Sequence, residues 1–179
     1  MLVLLLFLTQ PGPARAAEGP DIVLTDLWDG PHLLKDICGG RSTILYVCDT
    51  DAGICREGAV FFDARAKGIM AHGFQAVLIF IGTPADVREL VLSTGIVQPV
   101  YVDSGSRLFG GLVDEEILPA LVLVDGDGRR IRTMYGGGES LDGNIAALLE
   151  ESPHEGRKWW LVAIPVIAAT AAVLVFVLN

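Results

Sequence analysis

Residues 44–57 read Ile44-Leu45-Tyr46-Val47-Cys48-Asp49-Thr50-Asp51-Ala52-Gly53-Ile54-Cys55-Arg56-Glu57, and this stretch decides the fold. Its first four residues form a continuous apolar run, which predicts a central strand buried on both faces. A short polar turn, Asp49 to Asp51, comes next. Cys55 then opens an amphipathic helix with Ala59, Phe62, Ala66, Ile69 and Met70 on one face and a stop near Gly73. A thiol in the first turn of a helix meets free N–H groups and the positive end of the helix dipole, which favour the thiolate. The position three residues earlier, where a two-thiol site would keep its second sulfur, holds Ala52.

The neighbouring segments extend the pattern. Asp21 to Leu27 and His32 to Ile37 read as short extended or hairpin pieces around Gly30-Pro31, with Gly39-Gly40 as a turn. Ala76 to Ile81 is a second fully apolar strand. Thr83-Pro84-Ala85-Asp86 starts a helix: a capping hydroxyl, a proline in the first turn and an acid at the positive end. Val87, Leu90 and Val91 give that helix its inner face and Gly95 its stop. Val100 to Val102 is a short strand, and Ser104 to Leu112 suits a brief helix. Ala120 to Val124 and Ile131 to Tyr135 flank Gly126-Asp127-Gly128, a hairpin signal, and Ile145, Leu148 and Leu149 mark a closing helix. Strand–helix–strand order requires parallel pairing, and the hairpin is antiparallel. The expected architecture is α/β, a mixed central sheet flanked by helices.

The ends of the chain differ from this middle. Leu2 to Leu8 is a short apolar run, followed by Pro11, Pro13 and the small-x-small site Ala14-Arg15-Ala16. We read residues 1–16 as a signal peptide, although no Lys or Arg precedes the apolar core. Residues 17–151 form the domain and 152–158 a linker. Trp159 to Leu178 is uncharged; at 1.5 Å per residue such a stretch spans roughly 30 Å, a hydrocarbon core. Arg157 and Lys158 precede it, and Trp159-Trp160 suits the headgroup boundary. One C-terminal transmembrane helix is therefore expected. A cleaved signal puts the domain outside the cytoplasm, whereas the basic pair flanking the domain side points the other way; the extracytoplasmic placement is the one we take forward.

The formal net charge of −9 argues against nucleic acid or an anionic membrane surface as partner. Three cysteines, Cys38, Cys48 and Cys55, leave at least one unpaired in any arrangement within the chain. No zinc-ligand spacing, phosphate loop or Ser-His-Asp pattern occurs, so neither a metal nor a cofactor is expected; Gly136-Gly137-Gly138 reads as a turn.

Strand order, the helix-start cysteine and a proline opening the penultimate strand together resemble the thioredoxin-like superfamily. The likeness is to its extracytoplasmic TlpA/redoxin branch, related to the alkyl hydroperoxide reductase and thiol-specific antioxidant group. It rests on Leu33-Leu34-Lys35-Asp36 with Gly39-Gly40, on residues 44–57, and on Leu118-Pro119-Ala120 through Gly128. The resemblance spans about Asp21 to Glu151. It implies that Pro119 is a cis-proline facing the site, that Cys55 stands where the second, resolving thiol of a Cys-x-x-Cys would, and that Ala52 replaces the attacking one.

Three chemistries suit these residues in part. Cys55 acts alone or with Cys48, seven residues earlier at the strand end, although Cys48 reads first as a small buried apolar side chain, and Cys38 as a free or structural thiol. A peroxidase of the redoxin group would need Pro and Thr where Cys48 and Ala52 stand, and an Arg where Pro119 stands. A Sco-type copper chaperone would need a cysteine where Asp51 stands and a histidine near the site, whereas the histidines are His32, His72 and His154. Reactivity of Cys55 is a balance: the dipole favours the thiolate by about 0.3–1 kcal/mol, and each of Asp49 and Asp51 opposes it by roughly 1 kcal/mol at about 7 Å. The resulting expectation is a membrane-anchored, extracytoplasmic domain that exchanges thiols and disulfides by a monothiol route through Cys55, with protein thiols or a small thiol as partner. Pro119, Ala52, Gly53 and Ile54 line the partner groove. The alternative is a redox-inactive binding or assembly module using the same groove.

Overall fold

The computed structural model describes residues 21–105, 107–113 and 117–151. The expected signal peptide and transmembrane helix lie outside them. Among the described residues no helix is long and apolar enough to cross a membrane.

Seven strands and four helices follow one another as β1 (Val23–Thr25), β2 (Pro31–Leu33), α1 (Leu34–Cys38), β3 (Thr43–Asp49), α2 (Gly53–Ala71), β4 (Gln75–Ile81), α3 (Pro84–Thr94), β5 (Val100–Asp103), β6 (Ala120–Val124), β7 (Arg130–Tyr135) and α4 (Glu139–Leu149). They build one sheet in the order β2-β1-β5-β4-β3-β6-β7. The pairs β3–β4 and β4–β5 are parallel, and β3–β6 and β6–β7 antiparallel. The mixed sheet with flanking helices is thus as expected.

The apolar runs explain the order. Strands β3, β4 and β6 occupy the middle of the sheet, where neither face is wet, and they carry no polar alternation. Side chains of successive residues point to opposite faces. One face gathers Ile44, Tyr46 and Cys48 with Leu78, Phe80, Leu121 and Leu123, and α2, α3 and α4 pack on it. The other gathers Leu45, Val47, Val77, Ile79, Ala120 and Val122, and is covered by α1 with Leu108, Leu112 and Val113.

Three local expectations are corrected. Leu34 to Cys38 is a helical turn, because Leu34, Ile37 and Cys38 all face the same core and Gly39 ends it in a left-handed conformation. The segment after β5 is not a helix. Instead, Asp103, buried at the strand end, accepts hydrogen bonds from the N–H groups of Gly105 (3.2 Å) and Leu108 (2.9 Å), and Phe109 bridges to Val113. A carboxylate that collects loop N–H groups stabilises turns at the expense of a helical ladder. Met70 points outward, leaving Ile69 as the last buried residue of α2. The start of α3 is as read: Thr83 Oγ1 accepts from the Asp86 N–H, and Gly95 closes the helix.

Candidate functional site

The site forms where β3 delivers the chain into α2. Alternation along β3 turns Cys48 toward the face on which α2 lies. The helix begins at Gly53, two residues before Cys55, with Ala52 as a cap that offers no side-chain acceptor. Cys55 is therefore the third helical residue. Its side chain does not sit at an open helix tip but belongs to the buried stripe Cys55, Ala59, Phe62, Ala66 and Ile69, whose spacing of three and four defines one helix face. Both Cys48 and Cys55 are 0% exposed, and all three cysteines are free thiols.

Around these two sulfurs the hydrogen bonds converge. The backbone N–H of Asp49 donates to Cys55 Sγ at 3.3 Å. Cys48 Sγ also lies 3.7 Å from the Asp49 carbonyl. Tyr46 Oη donates to the Cys55 carbonyl at 3.4 Å. The Tyr46 ring is held by stacking on Phe62, with centroids 5.5 Å apart.

These contacts split the two thiols. The neighbouring Cys48 thiol holds the Cys55 thiol below the ordinary cysteine value, with help from the Asp49 N–H and against burial and the Asp49 charge. Burial pushes the Cys48 thiol far up, and the neighbouring Cys55 sulfur adds to that rise. The pair thus holds one sulfur that favours the anion and one that keeps its proton. Of the two acids expected to oppose the thiolate, Asp49 acts on Cys55, while the side chain of Asp49 itself accepts from the Asp51 N–H at 2.8 Å.

Beside the pair, Ile54, Pro119 and Gly137 meet. The Leu118–Pro119 peptide is cis, as the resemblance implied. Val47 pairs with Ala120, the first residue of β6, so Pro119 lies just before that strand, level with Cys48 on β3. Pro119 O accepts from the Gly136 N–H at 3.0 Å. A Cβ on Gly137 would lie 2.8 Å from Pro119 Cγ and 3.2 Å from Ile54 Cγ1, so only a glycine lets these three residues meet. Ile54 remains 49% exposed, Gly53 is exposed, and Ala52 packs half-buried on the core cluster that contains Cys55. The predicted groove residues Ala52, Gly53, Ile54 and Pro119 are therefore neighbours.

Other candidates lie apart. Cys38 is buried under the opposite face of the sheet. His32, on β2, bonds Asp26 Oδ2 at 3.0 Å, and His72 bonds the Gly68 carbonyl at the end of α2. His154 is outside the described residues. Among the described residues, no cluster of three or more His, Cys, Asp or Glu side chains is placed to hold a metal. Tyr46, Gly58 and Gly137 were not singled out from the sequence. A lone hydroxyl in an aliphatic strand, and a glycine inside a helix, are signals that could have marked the first two.

No family model matches the chain, and no curated protein matches it in sequence. Solved structures do. A thioredoxin-like protein from Porphyromonas gingivalis is 18% identical, with 79% of this chain and 95% of that one covered and a TM-score of 0.63. A thiol:disulfide interchange protein from a Bacteroides species is 16% identical, with 81% and 93% covered and a TM-score of 0.60. The peroxidoxin BcpB from Mycobacterium tuberculosis is 14% identical, with 74% and 94% covered and a TM-score of 0.60. The described domain has the thioredoxin-like fold. That fold is common to thiol interchange and peroxide chemistry, so the residues of the site must choose between them.

Proposed function

We propose that this thioredoxin-like domain exchanges thiols and disulfides through Cys55, working by a single-thiol route on protein thiols or a small thiol. The observation that carries this is the hydrogen bond from the Asp49 N–H to Cys55 Sγ at 3.3 Å, which favours the anionic form of that sulfur. A thiolate is the species that attacks a disulfide. In the proposed step the Cys55 thiolate attacks one sulfur of a client disulfide, the other client sulfur leaves as thiolate, and a mixed disulfide remains for a second thiol to resolve. Ile54, about half exposed where it meets Pro119 and Gly137, offers apolar contact for the client segment. Peroxide reduction is disfavoured by the absence of a hydroxyl at position 52 and of an arginine at position 119. On sequence grounds we place the domain on the extracytoplasmic side, tethered through residues 159–178.

A second reading has its own observation. Cys55 is fully buried and Ala52 stands in the attacking position, as in a module that binds a partner in the groove without chemistry. One titration separates the two. The purified chain is treated with a thiol-reactive probe across pH, alongside Cys55→Ser and Cys48→Ser. Labelling of Cys55 below pH 7.5 under native conditions, lost only in Cys55→Ser, is expected. Labelling that needs denaturant would reject the exchange reading in favour of the binding module.

A further inference from the structure

The odd cysteine count and the missing thiol at position 52 leave open what resolves a Cys55 adduct. Cys48 belongs to the same core cluster as Cys55, both are fully buried, and the N–H of the residue that follows Cys48, Asp49, donates to Cys55 Sγ at 3.3 Å. The six intervening residues form a turn and the first helical residues, tied back by the Asp49 N–H on Cys55 Sγ and the Cys55 N–H on the Ala52 carbonyl. The Asp49 contact brings the Cys55 sulfur to the Cys48 end of β3, and a disulfide there needs Cα atoms no more than about 7 Å apart. Tyr46, two residues before Cys48, ties the two halves together by donating from Oη to the Cys55 carbonyl at 3.4 Å. Cys38 is beyond reach, under the other face.

We propose that Cys48 is the second redox thiol of the domain and that an internal Cys48–Cys55 disulfide is its oxidised form. This rests on the exchange reading above and replaces its external resolving thiol by one from the same chain. The electrons balance with an organic disulfide as oxidant. Cys55 thiolate bonds to one client sulfur, and the first client thiolate departs. Cys48 then bonds to the Cys55 sulfur, breaking the mixed disulfide, and its proton goes to the second departing client thiolate. The client disulfide is reduced to two thiols while the Cys48–Cys55 pair loses two electrons. Run in reverse, the same steps oxidise a client dithiol.

The test uses the full chain and oxidised glutathione, with acid quenching, alkylation after denaturation and peptide mapping. Wild type and Cys38→Ser are expected to yield a peptide pair joined through Cys48 and Cys55, with no lasting glutathione adduct. Cys48→Ser and Cys48→Ala are expected to stop at a Cys55–glutathione mixed disulfide; the alanine variant guards against misfolding caused by a buried hydroxyl. A wild type that accumulates the Cys55–glutathione adduct as the Cys48 variants do overturns this proposal and leaves single-thiol exchange standing. A Cys55 that reacts in none of the proteins overturns both.

Discussion

Gly58 sits one turn into α2 directly beneath the Tyr46 hydroxyl, and replacing it by alanine tests how the site is held. A Cβ at position 58 would lie 2.0 Å from Tyr46 Oη and 2.9 Å from its Cζ. The ring cannot yield easily, because it is 0% exposed and stacked on Phe62. In an open helix, Gly→Ala would stabilise by about 1 kcal/mol. Overpacking a filled core costs about 1–3 kcal/mol, and an overlap this deep belongs at or above the upper end. Gly58→Ala is therefore expected to destabilise by a net of about 2 kcal/mol, or roughly 8 °C in Tm for a domain of this size. Tyr46→Phe alone gives up the hydrogen bond to the Cys55 carbonyl, about 1 kcal/mol. In the double variant the closest overlap disappears with the hydroxyl, so the two losses combine to less than their sum by about 1 kcal/mol. Urea unfolding of the four proteins closes this cycle. A Gly58→Ala protein as stable as wild type, or losses that simply add, would refute the account of Tyr46 as a fixed strut against the helix.

Three other outcomes follow from the described contacts. Ala52→Cys places a thiol at the cap position three residues before Cys55 and is expected to raise disulfide reductase activity on an insulin-type substrate above wild type, with the gain lost again on adding Cys55→Ser. Asp103→Ala strips the acceptor from two loop N–H groups and is expected to cost about 2–4 kcal/mol by denaturation, with Asp103→Asn retaining part of it. Burial pushes the Cys38 thiol up to about 11 from its ordinary value near 9. A raised thiol binds its proton more tightly folded than unfolded, so its contribution is complete below pH 9 and is lost as pH rises toward 11. The slope of stability over that window, measured by denaturation at a series of pH values, is expected to be shallower in Cys38→Ala.

Much of the architecture was legible because its strands are unusually plain. Ile44 to Val47 and Ala76 to Ile81 carry no alternation to confuse a buried strand with an edge, and Gly126-Asp127-Gly128 admits little but a hairpin. The segment from Ser104 to Leu112 misled for a tertiary reason: apolar spacing suited a helix, but Asp103 captures the N–H groups that a helix would need. Positions of Ala52, Gly53, Ile54 and Pro119 around one groove could be anticipated from resemblance. The burial of Cys55 was also readable, had the stripe of Ala59, Phe62 and Ala66 been extended four residues back. What linear reading could not supply is contact across the sheet. That Tyr46 reaches the Cys55 carbonyl depends on side-chain direction in the middle of a strand, which spacing alone does not encode.

The division of the sulfurs between the two sides of the sheet has one more consequence. Three thiols permit three internal pairings, and small oxidised domains commonly pass through wrong ones that must be reshuffled. Here the seven-stranded layer acts as an insulator: Cys38 lies on its far side from Cys48 and Cys55. Once the sheet has assembled, Cys38 is walled off from both other thiols, so the two internal pairings that involve it are closed.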